Sequence, residues 1–334
     1  MGLESRNRLL PQMVEYDRVG DVWTPYLMKC DTPNVSFHSV NTDKWGLRKT
    51  VDSKGSLVDM EKLDRYEQIG VVLGPSVVFG VGASDDSKTV PSILSQSGDT
   101  LWLNFGGRAY NSTQEMLKLV LHMPKKVDRI IVFSGVNNLT LAHLSPYTSP
   151  VFNSFYAQSS FEQAVKHRFF EEYIGIKEAA KRLFKEFQHK LSPSKQHVFR
   201  KTIEESYENI FLCFERDLKV LKLLAQGHSA ELYFVMQPLA TWLNKKLTKE
   251  EQEIFAELDS FYADFVILAE HFGKFKESYF KDVELICNKH SIKYLNLNKC
   301  PEFESDEWIF VDRVHLTDKG NQMVCDAIKR NFSI

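Results

Sequence analysis

The sequence predicts a three-layer α/β/α sandwich with a mainly parallel, roughly five-stranded sheet and a helical insertion. Three observations lead to this prediction. Between about residues 69 and 139, short apolar runs alternate with amphipathic segments, which is the pattern of parallel βαβ crossovers. The alternation resumes with the apolar run ELYFVMQP. Between these regions, residues 142–226 change to charged, aromatic, helix-forming sequence, which indicates an insertion.

Composition narrows the class of protein. At 334 residues with 43% hydrophobic content, the chain can bury a large core without a disulfide or metal staple. The formal net charge of −2 favours neither nucleic acid nor an anionic membrane, so we expect a small or neutral ligand. Five scattered cysteines without CxxC spacing indicate reduced thiols and no metal site. The N-terminus has no signal-like apolar run, and no later run approaches ~18 apolar residues, which predicts a cytoplasmic protein without a membrane span.

Two regions are expected along the chain. Residues 1–68 are irregular and contain turn-forming sequences such as DTPNVS and DSKGS, which predicts a lead-in of loops and short strands packed on the main body. The main domain then spans residues 69–334, with a helical insertion at about 142–226. The inserted helices either wall a substrate cleft or form a homo-oligomer contact; a solvated pair that stabilises the sheet edge is the alternative.

The stretch at residues 76–94 is predicted to form a buried strand, a tight turn and a helix. Its apolar residues 77–81 favour a strand buried on both faces. Residues 85–87 then supply helix-capping side chains, and Pro91 suits a first helical turn. Ser84 lies at the turn, beside helix N–H groups that can hold an oxyanion, so it is a candidate nucleophile; ordinary capping is the alternative.

The remaining elements follow from the same patterns. In chain order we expect a strand TLWLNF ending at Phe105, a helix from Ser112 to His122, a strand RIIVFSG ending at Gly135, a strand ELYFVMQP, helices from Thr248 to His290, a strand IKYLNL and a helix from Asp318 to Arg330. Parallel sheets bind ligands beyond the carboxyl ends of their strands. The loops after Gly82, Phe105, Gly135 and Pro238 should therefore converge on one crevice.

Three side chains in these loops suit acyl transfer. A serine is a poor nucleophile until a histidine takes its proton, and the histidine needs an acceptor on its other ring nitrogen. Ser84 supplies the hydroxyl. Asp312 and His315 are three residues apart, so one short loop can present both, with Nδ1 facing the carboxylate and Nε2 facing Ser84.

Four motifs in this order resemble the SGNH hydrolase family, also called GDSL-type esterases: VVFGVGASDDS, NFGGRAYNS, GVNN and VDRVHLTDKG. In that family the serine is the nucleophile, and three donors hold the oxyanion. By position, the resemblance implies that these donors are the Ser84 N–H, a backbone N–H of the turn at residues 106–109, and the Asn137 side chain.

The sequence departs from the family pattern at three positions: Ala83 replaces a common aspartate, Asn138 replaces the aspartate of GxND, and Ala109 stands at the usual glycine of the second motif. An alanine N–H donates as well as a glycine N–H, provided that its φ is negative. If the turn is shifted, Gly107 is the donor instead.

The resemblance implies a serine esterase that removes an O-acyl group and needs no cofactor or metal. The segment VNTDKWGLRKT is similar to bacterial members that act on carbohydrates, so an O-acetylated sugar or surface-polysaccharide precursor is the expected substrate. Arg108 and Gln237 are candidate substrate-binding residues, with an ion pair and a turn closure as their alternatives. An O-acyltransferase that uses the same site, and a non-catalytic glycan-binding or scaffolding protein on an esterase fold, are the two other hypotheses.

Overall fold

The computed structural model describes residues 3–144, 151, 154–156, 158, 163, 203–261 and 263–334. Before the central sheet, the chain forms two short helices and two small antiparallel sheets. These are α1 (Glu4–Leu9), α2 (Met13–Tyr16), β1 (Asp21–Val22) paired with β2 (Cys30–Asp31), and β3 (Thr50–Val51) paired with β4 (Leu57–Val58).

Five parallel strands form the central sheet: β5 (Gln68–Gly74), β6 (Thr100–Gly106), β7 (Arg129–Ser134), β8 (Glu231–Met236) and β9 (Lys293–Asn296). Their order across the sheet is β6-β5-β7-β8-β9. In the register, Val72 of β5 lies opposite Asn104 of β6 on one side and Ile131 of β7 on the other. The predicted mainly parallel sheet of about five strands is confirmed.

Helices cover the sheet: α3 (Ser76–Phe79), α4 (Val90–Gln96), α5 (Ser112–His122), α6 (Asn137–Leu144), α7 (Ile203–Gly227), α8 (Lys249–Phe261), α9 (Ala263–Lys289) and α10 (Asp318–Phe332). From β5 the chain first adds β6 at one edge of the sheet. It then crosses back past β5 and adds β7, β8 and β9 in turn on the other side. Because βαβ crossovers are right-handed, this reversal puts α4 on one face and α5, α7 and α9 on the other. Consistent with this, α4 packs against α10, and α5 packs against α7.

A second apolar cluster joins the N-terminal segment to the main domain. Met13 and Tyr16 of α2 and the nearby Leu10 pack there with Phe79 and Val311. The larger core lies between the sheet and its helices. The two clusters meet at α3, so the first 20 residues pack close to the carboxyl end of β5.

The predicted strand at residues 77–81 is wrong. The strand is β5, one step earlier, and Val77 to Phe79 form the single turn of α3. Gly80 ends this helix with a left-handed φ of +88°, and a Cβ there would meet the Thr89 side chain at 2.6 Å. Short buried apolar runs do not reveal by periodicity whether they are strand or helix, and two such runs follow one another here.

The other predicted elements of the main domain are confirmed, with ends that differ by a few residues. The predicted helix from Ser112 to His122 is α5, and Pro91 lies in the first turn of α4. The Asp85 side chain accepts a hydrogen bond from the Ser87 N–H at 2.7 Å and so caps a short 3-10 turn at Asp86–Lys88; α4 itself follows Thr89, which makes no side-chain cap bond.

Helix α7 is the described end of the predicted insertion at 142–226. Most of residues 145–202 lie outside the described residues, so the role of the insertion stays a prediction. None of the helices in the described ranges is both long and apolar enough to cross a membrane.

Candidate active site

A serine, a histidine and an aspartate meet at the carboxyl end of β5. His315 Nε2 lies 2.6 Å from the Oγ of Ser76, and His315 Nδ1 lies 2.7 Å from Asp312 Oδ2. Ser76 is the first residue of α3, immediately after the Gly74-Pro75 sequence that ends the strand. This is the geometry in which an imidazole can take a proton from a hydroxyl while a carboxylate orients the ring.

The loop that carries Asp312 and His315 is held by its own hydrogen bonds. The N–H of Val311 donates to the His315 carbonyl at 2.9 Å, and Asp312 Oδ1 accepts the N–H groups of Val314 and His315 at 2.7 Å each. Burial alone would raise the pKa of Asp312, but His315 and these two N–H groups outweigh it and lower the pKa below its ordinary value. The carboxylate is therefore ionised near neutral pH and fixes the imidazole.

Ser84, the nucleophile expected from the sequence, does not face the histidine. Its Oγ donates to Asp318 Oδ2 at 2.6 Å, and its N–H donates to Asp318 Oδ1 at 2.8 Å. Ser84 therefore ties the loop after α3 to the first residue of α10. The neighbouring Gly82 has a φ of +100°, and a Cβ there would lie 2.6 Å from the Leu316 carbonyl oxygen, so the two loops are in close contact. The expected contact of His315 with Ser84 and the expected Ser84 N–H donor are both wrong.

The signal for Ser76 was present in the sequence. Residues that follow the carboxyl ends of parallel strands line the ligand crevice. With the strand placed at residues 77–81, this rule pointed to Ser84; with the strand at 68–74, it points to Ser76. The Gly-Pro pair at Gly74 and Pro75 marks that strand end, because proline cannot donate to a sheet ladder.

The candidate oxyanion donors differ in the hydrogen bonds that they already make. The Gly107 N–H donates to the Gly74 carbonyl at 3.0 Å, so the proposal of Gly107 as a donor is wrong. The Ala109 N–H has no hydrogen-bond partner among the described residues, and Ala109 lines the same cavity as Ser76. Asn137 also lines this cavity, and its Nδ2 donates one hydrogen bond to the Tyr110 carbonyl at 2.8 Å. An amide has two N–H groups, so a second remains for a ligand.

Ala109 has a left-handed φ of +64°, so the negative φ that the sequence argument required is not found. This conformation costs an L-residue roughly 1–2 kcal/mol. Buried contacts hold the turn in place. The fully buried Lys118 Nζ donates to the Gly106 carbonyl at 2.5 Å, and Asn104 accepts the Gly106 N–H at 2.9 Å while donating to Val78.

A cavity of about 450 Å³ opens at Ser76, Asp312 and His315. The N-terminal helices and α8 supply much of its wall, together with the loop that carries Asp312 and the turn at residues 106–109. Its charged and aromatic lining includes Arg6, Asp17, Phe255, Asp259, Arg313 and Arg108.

The two candidate substrate-binding residues differ in position. Arg108 lines the cavity, but its guanidinium pairs with Asp31 and with Asp21 and donates to the Gly20 carbonyl at 2.8 Å. Gln237 is fully buried and does not line the cavity, so its predicted contact with substrate is wrong. Its backbone N–H donates to the Ser134 carbonyl, which places it beneath the rim of the sheet.

No protein-family model matches the sequence, and no curated protein matches it. Three of the solved structures that it resembles are esterases or lipases. An acetyl xylan esterase, AlAXEase, shares 11% identity over 78% of this chain and 98% of its own, with a TM-score of 0.40. An extracellular lipase from Streptomyces rimosus shares 11% over 79% and 99%, with a TM-score of 0.40. Axe2, an acetylxylan esterase from Geobacillus stearothermophilus, shares 10% over 80% and 95%, with a TM-score of 0.38.

Proposed function

We propose that the protein is a serine esterase of the SGNH type, with Ser76 as nucleophile, His315 as general base and acid, and Asp312 as the group that orients His315. The observation that carries the proposal is the pair of contacts on the imidazole, 2.6 Å to the Ser76 hydroxyl and 2.7 Å to Asp312. A non-catalytic binding protein would have no need for this alignment. On this proposal, the serine that corresponds to the nucleophile of the SGNH family is Ser76 instead of Ser84.

The first half of the reaction forms an acyl-enzyme. Ser76 Oγ attacks the ester carbonyl carbon as its proton passes to His315 Nε2. The carbonyl oxygen becomes an oxyanion, and the tetrahedral intermediate collapses when His315 returns the proton to the departing alcohol oxygen. Asp312 stabilises the imidazolium that exists between these two steps.

Three donors surround the position of the oxyanion: the N–H of Ser76, the N–H of Ala109 and the Nδ2 of Asn137. As the first residue of α3, Ser76 has an N–H with no partner inside its helix. Donors placed in advance at a developing charge supply much of the rate enhancement in acyl transfer. Water, activated by His315, then attacks the acyl-enzyme and releases the acid.

The substrate remains as the sequence predicts, an O-acyl ester, with an acetyl group on a carbohydrate as the first choice. The steps above use groups of the chain itself and a water molecule.

Site-directed variants test the assignment. Ser76→Ala and His315→Ala should each lower kcat for p-nitrophenyl acetate by at least about 1,000-fold, because residues of a triad act as one unit. Ser84→Ala is the matched control and should keep the activity within about threefold, since its hydroxyl faces Asp318. Loss of activity in Ser84→Ala with retention in Ser76→Ala would contradict the proposal.

A further inference from the structure

We propose that the leaving alcohol of the ester lies against the ion pair of Arg313 and Asp259, and that this subsite selects an uncharged, hydroxyl-bearing alcohol over an anionic one. The assignment rests on the proposed esterase function and adds to it a subsite and a charge class of substrate.

The direction of proton transfer places the alcohol. His315 Nε2 returns its proton to the departing oxygen, so the alcohol half leaves on the side of the imidazole ring. Arg313, two residues before His315 on the same loop, lines the cavity there. Asp259 of α8 lines it as well, beside the Arg313 guanidinium.

The pair is held by two hydrogen bonds and reaches the cavity. Arg313 Nε and Nη2 donate to the two carboxylate oxygens of Asp259 at 2.9 and 2.5 Å, and the guanidinium lies 5.4 Å from the centre of the Phe255 ring. The side chains are 21% and 27% exposed. Each carboxylate oxygen has a second lone pair, which can accept a hydrogen bond from an alcohol hydroxyl. A fixed carboxylate that already neutralises its arginine suits hydroxyl groups better than it suits another anion.

The other charges of the cavity are balanced in the same way. Three arginines line it, and each pairs with a carboxylate: Arg6 with Asp17, Arg108 with Asp31 and Asp21, and Arg313 with Asp259. No lysine is among the described residues that line the cavity. A carboxylate or phosphate on the alcohol would therefore find no uncompensated cation in the cavity.

A charge-removing variant tests the subsite. The substrates are an O-acetylated neutral hexose and the matching O-acetylated hexuronate, which share the acyl group, and kcat/KM is measured by acetate release. The wild-type enzyme should prefer the neutral ester by about tenfold or more. Asp259→Asn removes the negative charge of the acceptor and leaves Arg313 uncompensated. The ratio of kcat/KM for the neutral ester to kcat/KM for the anionic ester should therefore fall by about 100-fold.

Two further variants complete the test. Glu253→Gln is the matched control, because Glu253 lies on the same helix and pairs with Arg8 but does not line the cavity, so the ratio should stay unchanged. Arg313→Gln removes the cation and should raise the ratio, which keeps the proposal testable if Asp259→Asn does not fold.

The outcomes distinguish a failure of the esterase function from a failure of the alcohol subsite alone. If a fluorophosphonate does not label Ser76 in the wild-type enzyme, the esterase function itself fails. If Ser76 is labelled, three results would overturn the subsite alone: preference for the hexuronate, cleavage of neither sugar ester, or an equal fall for both esters in Asp259→Asn. The last result would mean that the pair only holds the catalytic loop.

Discussion

Ser76 and Ser84 are eight positions apart, and their partners distinguish them chemically. The Ser76 hydroxyl faces an imidazole, whereas the Ser84 hydroxyl donates to the carboxylate of Asp318. Imidazoles in general accept a proton near neutral pH, and carboxylates are much weaker bases. The same hydroxyl group is thus a candidate nucleophile at one position and a structural tie at the other.

At the oxyanion site, Asn137→Ala should lower kcat for p-nitrophenyl acetate by about 100-fold or more and change KM little. In the proposed mechanism the Asn137 amide stabilises charge that develops mainly in the transition state, so its removal should affect the chemical step. The side chain also donates to the Tyr110 carbonyl, so a small loss of thermal stability is expected in addition. A fall in kcat of less than about threefold in the folded variant would remove Asn137 from the oxyanion hole.

Helix α3 is a single turn and is held in place by the N-terminal segment. The fully buried Arg48 donates to the carbonyls of Phe79 and Gly80 at 2.8 Å each and pairs with Asp86 at 2.8 Å. The Tyr16 hydroxyl donates to Gly80 at 2.6 Å. The last carbonyls of a helix have no partner inside it. The N-terminal segment supplies those partners and so fixes the turn that begins with Ser76.

Arg48→Leu should lower the free energy of unfolding by about 3–5 kcal/mol, because it leaves the buried Asp86 carboxylate without its cation and removes two hydrogen bonds to buried carbonyl groups. Urea unfolding followed by circular dichroism measures the change. Arg65→Leu is the control: Arg65 lies in the same segment, but its pair with Asp52 is 3.6 Å long and its side chain is 54% exposed, so a change below about 1 kcal/mol is expected. Equal effects of the two variants would contradict this role of Arg48.

The sequence predicted most of the elements but misplaced one, and the reason is physical. Helix α5 has a capping box at Asn111, so local chemistry determines where it begins. The region from β5 to α3 contains two adjacent buried apolar runs, and only packing decides that the first is a strand and the second a helical turn. That one displacement moved the candidate nucleophile from Ser76 to Ser84. The contact between Asp312 and His315 could be predicted because their three-residue spacing is local.

Across the whole molecule, the strand order explains why the site lies where it does. The order reverses between β5 and β7, and ligands bind at such a switch point, beyond the carboxyl ends of the strands. Ser76 follows β5, and Asn137 follows β7. The N-terminal helices and α8 close the opposite wall of the cavity, so distant parts of the chain are needed to complete it.

A buried acid makes the stability of the molecule depend on pH. Glu115 is 1% exposed, its Oε1 accepts a hydrogen bond from the Ser134 hydroxyl at 2.7 Å, and its Oε2 has no partner among the described residues. Burial raises the pKa of Glu115 from its ordinary value of 4.5 to about 8. Between these values the folded state binds a proton that the unfolded state has lost, so the free energy of unfolding decreases as the pH rises.

Glu115→Gln removes this dependence. The slope within the window is about 1.4 kcal/mol per pH unit, so the stability of the wild type relative to Glu115→Gln should fall by roughly 3 kcal/mol from pH 5 to pH 8. Urea unfolding of both proteins at the two pH values measures the difference. A constant difference would show that Glu115 is ionised in the folded protein at both pH values or neutral in both states.

Covalent labelling tests the central claim most directly. The wild-type protein is treated with a fluorophosphonate, digested, and mapped by mass spectrometry, with His315→Ala treated in parallel. We expect one label, on Ser76, and no label in His315→Ala, because attack requires the imidazole at 2.6 Å. A label on Ser84, or no label on Ser76 in the folded wild-type protein, would contradict the account.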